Sequence, residues 1–380
     1  MLDVKFKLAE SHSSAREWMA PAPLRQLFWN ATYACNHRCG ICFTGSGAVR
    51  AAELTTDEAL AMLEQARRAG VLDVILSGGE PFMRPDLPAL LAWMGQAGLT
   101  ARIATNGTLL TPELLDDLRR NTRVKSFQVS LDSLRPEVYA QMHGTDPGDH
   151  RRALRALDMI RERGFHTTAA ARLTPATLPE IPALLDRAAA EGWATFTVHL
   201  PVPTNRTRGA FSPEADLLAL LEPAFRHFFA MSKHWMAEIY IPWAPWHGTI
   251  SRLAAAGAIV HVGCRAGRDR LAIHPSGDVS PCVCMEAPAA CIGNVRRDEL
   301  AHLFETAPAC DLFRHPAAHG ICADCGNVAV CGGGCRASAF AATGRLDGTD
   351  PACPLRRARA AGSGAGRSGR SLAAGEGRLP

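Results

Sequence analysis

The sequence lacks long apolar runs. Among its 380 residues, no stretch approaches the roughly 20 consecutive apolar residues of a membrane-spanning helix. The first twenty residues mix charged with apolar side chains, so they contain no continuous apolar core of a secretory signal peptide. These absences exclude a membrane-embedded function and predict a cytoplasmic chain with no membrane partner.

Cysteine is absent from the middle of the chain. Three of the 13 cysteines lie between residues 35 and 42, none lies between 43 and 263, and ten lie from Cys264 to Cys353. Without a secretion signal the chain stays in a reducing compartment, where clustered cysteines are more often metal ligands than disulfide partners. The distribution predicts two metal-bearing regions separated by a cysteine-free one.

The sequence also lacks a strong charge of one sign. Its formal net charge is +4, and residues 356–380 alone contain six arginines against one glutamate, so the body of the chain is close to neutral. This tail is rich in Gly, Ser and Ala and has little to bury, which predicts disorder. We expect no catalytic role for the tail and no nucleic-acid partner.

Between residues 25 and 232, β-rich runs alternate with amphipathic stretches. This pattern predicts parallel strands joined by crossover helices. We predict six strands, at residues 27–32, 71–77, 100–105, 125–131, 165–173 and 194–200. Six such units are too few for a closed eight-stranded barrel, so the predicted fold is α/β, a partial (β/α)6 barrel with chemistry at the carboxyl ends of its strands.

The composition predicts five segments. They are a lead-in at 1–24, the partial barrel at 25–232, a bridge at 233–262, a Cys-rich domain at 263–355 and the tail at 356–380. Trp235, Trp243 and Trp246 in the bridge either line a cleft or cover the barrel, and core packing is the more common role of such aromatics. The Cys- and Gly-rich domain has little periodicity, so metal cross-links would have to organise it.

The first cysteine cluster, Cys35, Cys39 and Cys42, has the spacing CxxxCxxC and follows the first predicted strand. It offers three thiolates where a closed metal site would take four. A cubane 4Fe–4S cluster held by three cysteines keeps one iron open for a non-protein ligand. A zinc site or ordinary thiols would also fit this spacing by itself.

The second predicted strand ends in Gly78-Gly79-Glu80-Pro81. Two consecutive glycines let a small ligand approach the backbone closely, and a carboxylate can accept from a cationic amine. Alone, this stretch could be a plain turn. On successive strands of one barrel, the cysteine and glycine motifs support each other.

Together these residues resemble the radical S-adenosylmethionine (SAM) enzymes. The resemblance implies that Cys35, Cys39 and Cys42 hold a 4Fe–4S cluster whose open iron binds SAM, and that Gly78, Gly79, Glu80 and Pro81 contact its methionine. The bound cofactor would yield a 5′-deoxyadenosyl radical that abstracts hydrogen from substrate. By the same resemblance, four polar residues at the next strand ends would face SAM; their alternative role is strand-end capping. These four are Thr105, Asn106, Ser130 and Asp132.

The chain departs from this family at two places. Ile41 stands before the third cysteine, where relatives usually have an aromatic residue, and Phe43 follows it. His143-Gly144 stands where relatives often have Arg-Gly, which weakens a transferred carboxylate contact. Neither departure touches the cluster ligands.

Seven later cysteines resemble the SPASM extension, which holds one or two auxiliary iron–sulfur clusters. The resemblance assigns Cys322, Cys325, Cys331 and Cys353 to an outer cluster, and Cys264, Cys282 and Cys335 to an inner one. Cys284, Cys291 and, less favourably, His261 are candidates for a fourth inner ligand; otherwise an iron stays open. A four-cysteine zinc ribbon would explain only part of this set, and Cys291 and Cys310 also fit plain thiols.

SPASM relatives mostly modify ribosomally made peptides, including those of the mycofactocin and pyrroloquinoline quinone pathways. The resemblance therefore implies a peptide maturase, with a small-molecule dehydrogenase, epimerase or decarboxylase of antibiotic or haem-type pathways as the alternative. Sulfatase maturation is not expected, because Val283 stands where those enzymes carry an acidic residue. A metal-binding scaffold without activity would predict damaged SAM motifs, and these are intact.

The expected partner is an electron donor such as flavodoxin or ferredoxin. Because only about two dozen residues precede the barrel, leader recognition would need a separate leader-binding protein or a different mode. No catalytic side chain is assigned. The loop 204–209 could hold an anionic or peptide substrate or be a plain exposed basic loop. His199 is a candidate proton donor, although a core histidine is the more common interpretation.

Overall fold

The computed structural model describes residues 3–7, 22–50, 53–199, 202–207, 236–240, 259–315, 320–323, 325, 333–351 and 353. Cys331, the three bridge tryptophans and the tail lie outside the described residues, as does most of the lead-in. No helix in the described part of the chain is both long and apolar enough to cross a membrane.

The described strands join in one 12-stranded sheet. In chain order they are β1 Asp3–Lys7, β2 Gln26–Asn30, β3 Asp73–Ser77, β4 Thr100–Thr105, β5 Val124–Ser130, β6 His166–Arg172, β7 Thr195–His199, β8 Met236–Tyr240, β9 Ile259–Gly263, β10 Arg270–Ile273, β11 Asp278–Ser280 and β12 Gly293–Asn294. Their order across the sheet is β12-β11-β10-β2-β3-β4-β5-β6-β7-β8-β1-β9.

The six strands β2 to β7 are parallel neighbours in sequence order, which confirms the predicted partial barrel. The helices of the described residues are α1 Thr56–Arg68, α2 Leu87–Gln96, α3 Pro112–Asn121, α4 Pro136–His143, α5 Gly148–Glu162, α6 Ile181–Ala190, α7 Leu300–Thr306, α8 Pro308–Arg314 and α9 Arg336–Thr343. Helices α1 to α6 lie on the connections between barrel strands, as a parallel sheet requires.

Local sequence signals explain where these helices begin and end. Thr55 caps α1 through a capping box with Glu58, which satisfies backbone donors that the first turn leaves unpaired. Thr111 caps α3, and a proline occupies its first position. Gly164, just after α5, has a φ of 72°, a left-handed conformation that a glycine adopts without strain.

Strand β5 alternates between a polar inner face and an apolar outer face. On β5, Ser126, Gln128 and Ser130 line a central cavity, whereas Phe127 and Val129 between them are fully buried in the core. This is the two-residue period of a strand. Closed eight-stranded barrels fill their centre with apolar side chains, but this partial barrel encloses a cavity of about 340 Å³.

The Cys-rich region is continuous with the barrel sheet. Strand β10 pairs in parallel with β2, with Leu271 opposite Leu27 and Ile273 opposite Trp29. All four of these side chains are fully buried. Beyond β7, strand β8 also adds in parallel, so the segment predicted as a bridge contributes strands to the sheet.

Candidate functional site

The first cysteine cluster lies in the loop that follows β2. Backbone hydrogen bonds fix this loop, because Cys35 N donates to Gly47 O at 2.9 Å and Cys42 N to Cys39 O at 3.3 Å. Cys35, Cys39 and Cys42 are free thiols and line the central cavity together. Three thiolates facing one cavity fit a cluster that has one open iron.

Electrostatics differ among these cysteines. Burial raises the pKa of Cys35 to about 12, so its thiolate needs a cation, and an iron cluster supplies one. Burial also opposes ionisation of Cys39, yet hydrogen bonds with His143 and His37 lower its pKa to about 6. The protein itself therefore stabilises the thiolate of Cys39, whereas the thiolate of Cys35 needs a bound metal to stabilise it.

Two buried histidines stand beside Cys39. His143 Nδ1 lies 3.6 Å from Cys39 Sγ and 3.4 Å from His37 Nδ1. Behind each ring is a carboxylate: Asp132 Oδ2 lies 2.7 Å from His143 Nε2, and Asp149 Oδ2 lies 3.0 Å from His37 Nε2. Burial lowers the pKa of His143, but its bonds to Asp132 and Cys39 raise it to about 9.

This arrangement suggests a second kind of metal site. One ligand atom each of His37, Cys39 and His143 lies within 4.8 Å of the others, and metal-binding histidines usually have a carboxylate behind them. A single ion there would take Cys39 out of the three-cysteine set. The cluster and the single ion are therefore mutually exclusive occupants.

The two glycines hold the second motif tightly against the cysteine loop. Gly79 N donates to Thr32 O and Glu80 N to Ala34 O, each at 2.8 Å. Gly78 has a φ of 126°, and a Cβ on Gly79 would overlap the carbonyl of Ala34. Both glycines line the cavity, so a ligand can reach their backbone.

Glu80 is fully buried and turned away from the cavity lining. Its carboxylate accepts from Thr105 Oγ1 at 2.7 Å, Asn106 N at 2.8 Å and Phe82 N at 3.3 Å. Burial raises its pKa, and these donors oppose the shift. In this structure Glu80 joins the ends of β3 and β4, and a contact with the SAM amine stays a prediction. Pro81, also buried, begins a short 3-10 helix.

The remaining predicted SAM residues line the cavity in different ways. Thr105, Asn106 and Ser130 contribute to its wall. Asn106 Nδ2 also donates to Asn36 Oδ1 at 2.8 Å, which ties β4 to the cysteine loop. Asp132 lines the cavity too, but its oxygens accept from His143 and from the backbone of Arg172, so it positions these neighbours.

The predicted inner-cluster cysteines open onto the same cavity. Cys264 and Cys282 line it, and Cys335, buried at the start of α9, is close enough to affect the pKa of Cys264. Cys284 is also buried, lines the cavity and hydrogen-bonds with Cys282, which lowers the pKa of Cys282 to about 6. Cys291 instead donates to Gly293 O at 3.2 Å and is not part of the described lining.

The outer set is partly described. Burial raises the pKa of Cys322, and Cys353 and Cys325 are near enough to Cys322 to raise it further. Cys331 lies outside the described residues. Cys310 is fully buried in the barrel's apolar core, where burial raises its pKa to about 11, as for a structural thiol.

Two arginines of the cavity wall stand near the cysteine loop, and of these Arg172 was missed by the sequence interpretation. Arg172 ends β6, and its guanidinium lies 5.5 Å from the centre of the Phe43 ring. Arg206, within the loop 204–209, donates to Cys39 O and Ser46 O, each at 2.8 Å. Residues 208 and 209 lie outside the described part. The position of Arg172 at a strand end was the signal that could have revealed it.

Comparison with known families agrees with this arrangement. Residues 29–188 match the model of the radical SAM superfamily, and residues 264–326 match the SPASM iron-sulfur cluster-binding domain. These matches confirm the resemblance predicted from the motifs.

Two curated relatives are similar over most of the chain. The AdoMet-dependent heme synthase of Methanosarcina barkeri is 32% identical, over 89% of this chain and 98% of its own. The mycofactocin maturase MftC of Mycobacterium ulcerans is 30% identical, over 86% and 87%. Among solved structures, SuiB of Streptococcus suis bound to S-adenosylmethionine superposes with a TM-score of 0.69 at 21% identity, covering 88% of this chain and 77% of that one.

Proposed function

The chain belongs to the radical SAM superfamily, and from that premise we propose that it modifies a ribosomally made peptide in a cofactor or natural-product pathway. It is an enzyme with a 4Fe–4S cluster, SAM and auxiliary iron–sulfur clusters. When bound, the reduced cluster and SAM supply a 5′-deoxyadenosyl radical for hydrogen abstraction.

One observation carries it: cysteines from both ends of the chain line one cavity. Cys35, Cys39 and Cys42 would hold the SAM-binding cluster, and Gly78 and Gly79 would let SAM approach the backbone. Thr105, Asn106 and Ser130 would contact SAM from the neighbouring strand ends. Glu80 and Asp132 would position neighbouring residues rather than contact SAM, since hydrogen bonds within the protein already engage both carboxylates.

Cys284 is the best candidate for the fourth ligand of the inner cluster. Like Cys282, it is buried and lines the cavity, and the two cysteines hydrogen-bond with each other. Cys291 has a backbone carbonyl as its partner. Four thiolates would close the inner cluster, so it would relay electrons and leave no iron open to substrate. An outer cluster on Cys322, Cys325, Cys331 and Cys353 remains part of the proposal.

The names of the relatives support a peptide substrate. Besides the maturase MftC, the PqqA peptide cyclase of Granulibacter bethesdensis is 29% identical over 88% of this chain. We propose flavodoxin or ferredoxin as electron donor, a separate leader-binding protein and a cytoplasmic location. The chain would recognise the peptide at the open side of the cavity.

A second candidate is a haem-type small-molecule reaction. Its support is the heme synthase of Methanosarcina barkeri, which is similar to this chain over nearly its full length. The two candidates share the cluster and SAM, and they differ only in the molecule admitted to the cavity. Substrate assays therefore have to separate them.

The first experiment tests the cofactors. Anaerobic reconstitution should give several iron–sulfur clusters per chain, and reduction with dithionite should release 5′-deoxyadenosine from SAM. Cys39→Ala should abolish this release, whereas Cys310→Ala, a matched thiol in the apolar core, should retain it. Stoichiometric zinc with no 5′-deoxyadenosine would instead support the single-ion site at His37, Cys39 and His143 and would overturn the proposal.

The second experiment tests the substrate. Short peptides encoded beside the gene are incubated with the reduced enzyme and SAM, and mass spectrometry follows any mass change. A modified peptide supports the proposal. No change in any peptide, together with turnover of a haem precursor, would favour the second candidate.

A further inference from the structure

The turn that follows β7 carries an inference about the first iron–sulfur cluster, so this inference rests on the proposed function. The turn, Asn205–Thr207, is a short 3-10 helix that lies against the loop with the first cysteine cluster. Arg206 spans this loop, because its Nε donates to Cys39 O and its Nη2 to Ser46 O, each at 2.8 Å. Arg206 also lines the central cavity. One side chain thus joins two separate parts of the cysteine loop.

The two residues before Arg206 reinforce this contact. Asn205 Nδ2 donates to Phe43 O at 2.6 Å, and Thr204 Oγ1 donates to the same carbonyl at 3.3 Å. Asn205 has a φ of 45°, a left-handed conformation that asparagine adopts more readily than most side chains. Three consecutive side chains therefore hold backbone carbonyls of the cysteine loop in place.

Arg206 holds the loop with a positive charge that has no carboxylate partner among the described residues. Its two carbonyl partners satisfy part of its hydrogen-bonding capacity and leave its charge uncompensated. Asp132 is the one carboxylate among the described residues of the cavity wall, and it pairs with His143. A guanidinium does not lose its proton in proteins. A fixed positive charge therefore lies against the loop that carries the first cysteine cluster.

We propose that Arg206 raises the reduction potential of the cluster held by Cys35, Cys39 and Cys42. The electron donor gives the cluster one electron and so adds one negative charge to it. A cation in a partly buried site attracts that charge more strongly than a cation in water does. Cluster potentials depend on nearby charge and on solvent exposure, and Arg206 supplies the charge while its two hydrogen bonds keep the loop closed. Arg206 acts through the loop backbone and is therefore a positioning residue.

The test measures this potential directly. The reconstituted enzyme is titrated with dithionite in the presence of redox mediators, and electron paramagnetic resonance follows the reduced cluster whose signal changes when SAM is added. Arg206→Gln should shift the midpoint to a more negative potential, since glutamine keeps a donor but not the charge. Arg206→Lys keeps the charge and should stay close to the wild-type midpoint. A midpoint reports only on loaded clusters, so a partial loss of folded protein does not imitate the shift.

Asn205→Gly is the matched control from the same turn. It removes a neutral contact with Phe43 O, and glycine keeps the left-handed conformation accessible. It should loosen the loop, which a chelator detects as faster loss of cluster iron, and it should keep the wild-type midpoint. Equal midpoints for the wild type and Arg206→Gln, or equal shifts in Arg206→Gln and Asn205→Gly, would overturn the inference alone. A wild type without a SAM-sensitive cluster signal would overturn the proposed function itself.

Discussion

At the scale of single residues, Gly79 shows how the two motifs depend on each other. Its amide donates to Thr32 O, and a side chain at this position would collide with the backbone at Ala34, one residue before Cys35. Backbone cannot move aside as the tip of a flexible side chain can. The close approach therefore fixes the cysteine loop against β3.

We expect Gly79→Ala to reduce cluster loading. Overpacking of this kind costs about 1–3 kcal/mol, and here the strain falls on the segment leading into Cys35. Iron per chain after anaerobic reconstitution and the thermal unfolding midpoint should both fall. Gly40→Ala is the control, since a Cβ on Gly40 meets nothing within 4 Å; equal loading of the two variants would contradict this account.

A second residue-scale prediction concerns the inner cluster. Because Cys284 shares the cavity wall with Cys282 and Cys291 is not part of it, Cys284→Ala should lower iron content by up to one cluster. It should also change the electron paramagnetic resonance spectrum of the auxiliary clusters. Cys291→Ala should keep both. The opposite pattern would make Cys291 the ligand.

At the scale of elements, the β10–β11 hairpin contains a histidine whose protonation state follows from its partners. Ser280 Oγ donates its proton to Cys282 O at 2.9 Å, so it accepts from His274 Nε2 at 2.8 Å. His274 Nδ1 is buried without a partner among the described residues. A second proton on this ring would have no acceptor, and burial lowers its pKa to about 4.

This lowered pKa predicts acid sensitivity. Well above pH 6.5 the ring is neutral in both the folded and unfolded states. As pH falls from 6.5 towards 4, the unfolded state binds a proton that the folded state does not, so stability is lost, by about 2 kcal/mol at pH 5. His274→Asn should show a smaller drop between pH 7 and pH 5 in the free energy of unfolding. Parallel curves for both proteins would refute this.

Sequence patterns predicted these elements where the signal is local. The alternation of β-rich runs with amphipathic stretches predicted all six barrel strands within a few residues of their observed positions. Capping residues such as Thr55 marked where the helices between them begin. The pairing of β10 with β2 joins residues more than 240 positions apart, and no local pattern encodes such a neighbour. Likewise, a motif shows that Glu80 is present but not that β4 supplies its partners.

At the scale of the whole molecule, the sheet connects the two metal-bearing regions. Strand β10 covers the edge of β2, and Arg296, after β12, pairs with Glu58 of α1. Tyr33, just before the first cysteines, hydrogen-bonds with Glu286. Because these contacts cross between the regions, the cavity depends on both. The auxiliary region therefore helps to stabilise the folded barrel.

This continuity predicts that the barrel does not fold alone. A chain of residues 1–262 would expose the apolar edge of β2, and exposed edges promote aggregation. It should be insoluble, or unfold at a clearly lower temperature than the full chain. A chain of residues 1–355, which lacks only the Arg-rich tail, should match the full chain. A monomeric 1–262 fragment as stable as the full chain would show that the regions are independent.

A point substitution tests the same contact without removing any segment. Leu271 on β10 is fully buried opposite Leu27, so Leu271→Ala should cost about 2–5 kcal/mol, as for other buried leucines. Leu72, which is 56% exposed and directly precedes β3, gives the matched control, and Leu72→Ala should stay within about 0.5 kcal/mol of the wild type. Unfolding midpoints in urea measure both. If Leu271→Ala lowers stability and also lowers iron bound by the first cysteine cluster, the auxiliary region supports the SAM cluster through the sheet; unchanged loading at lowered stability would confine that support to folding.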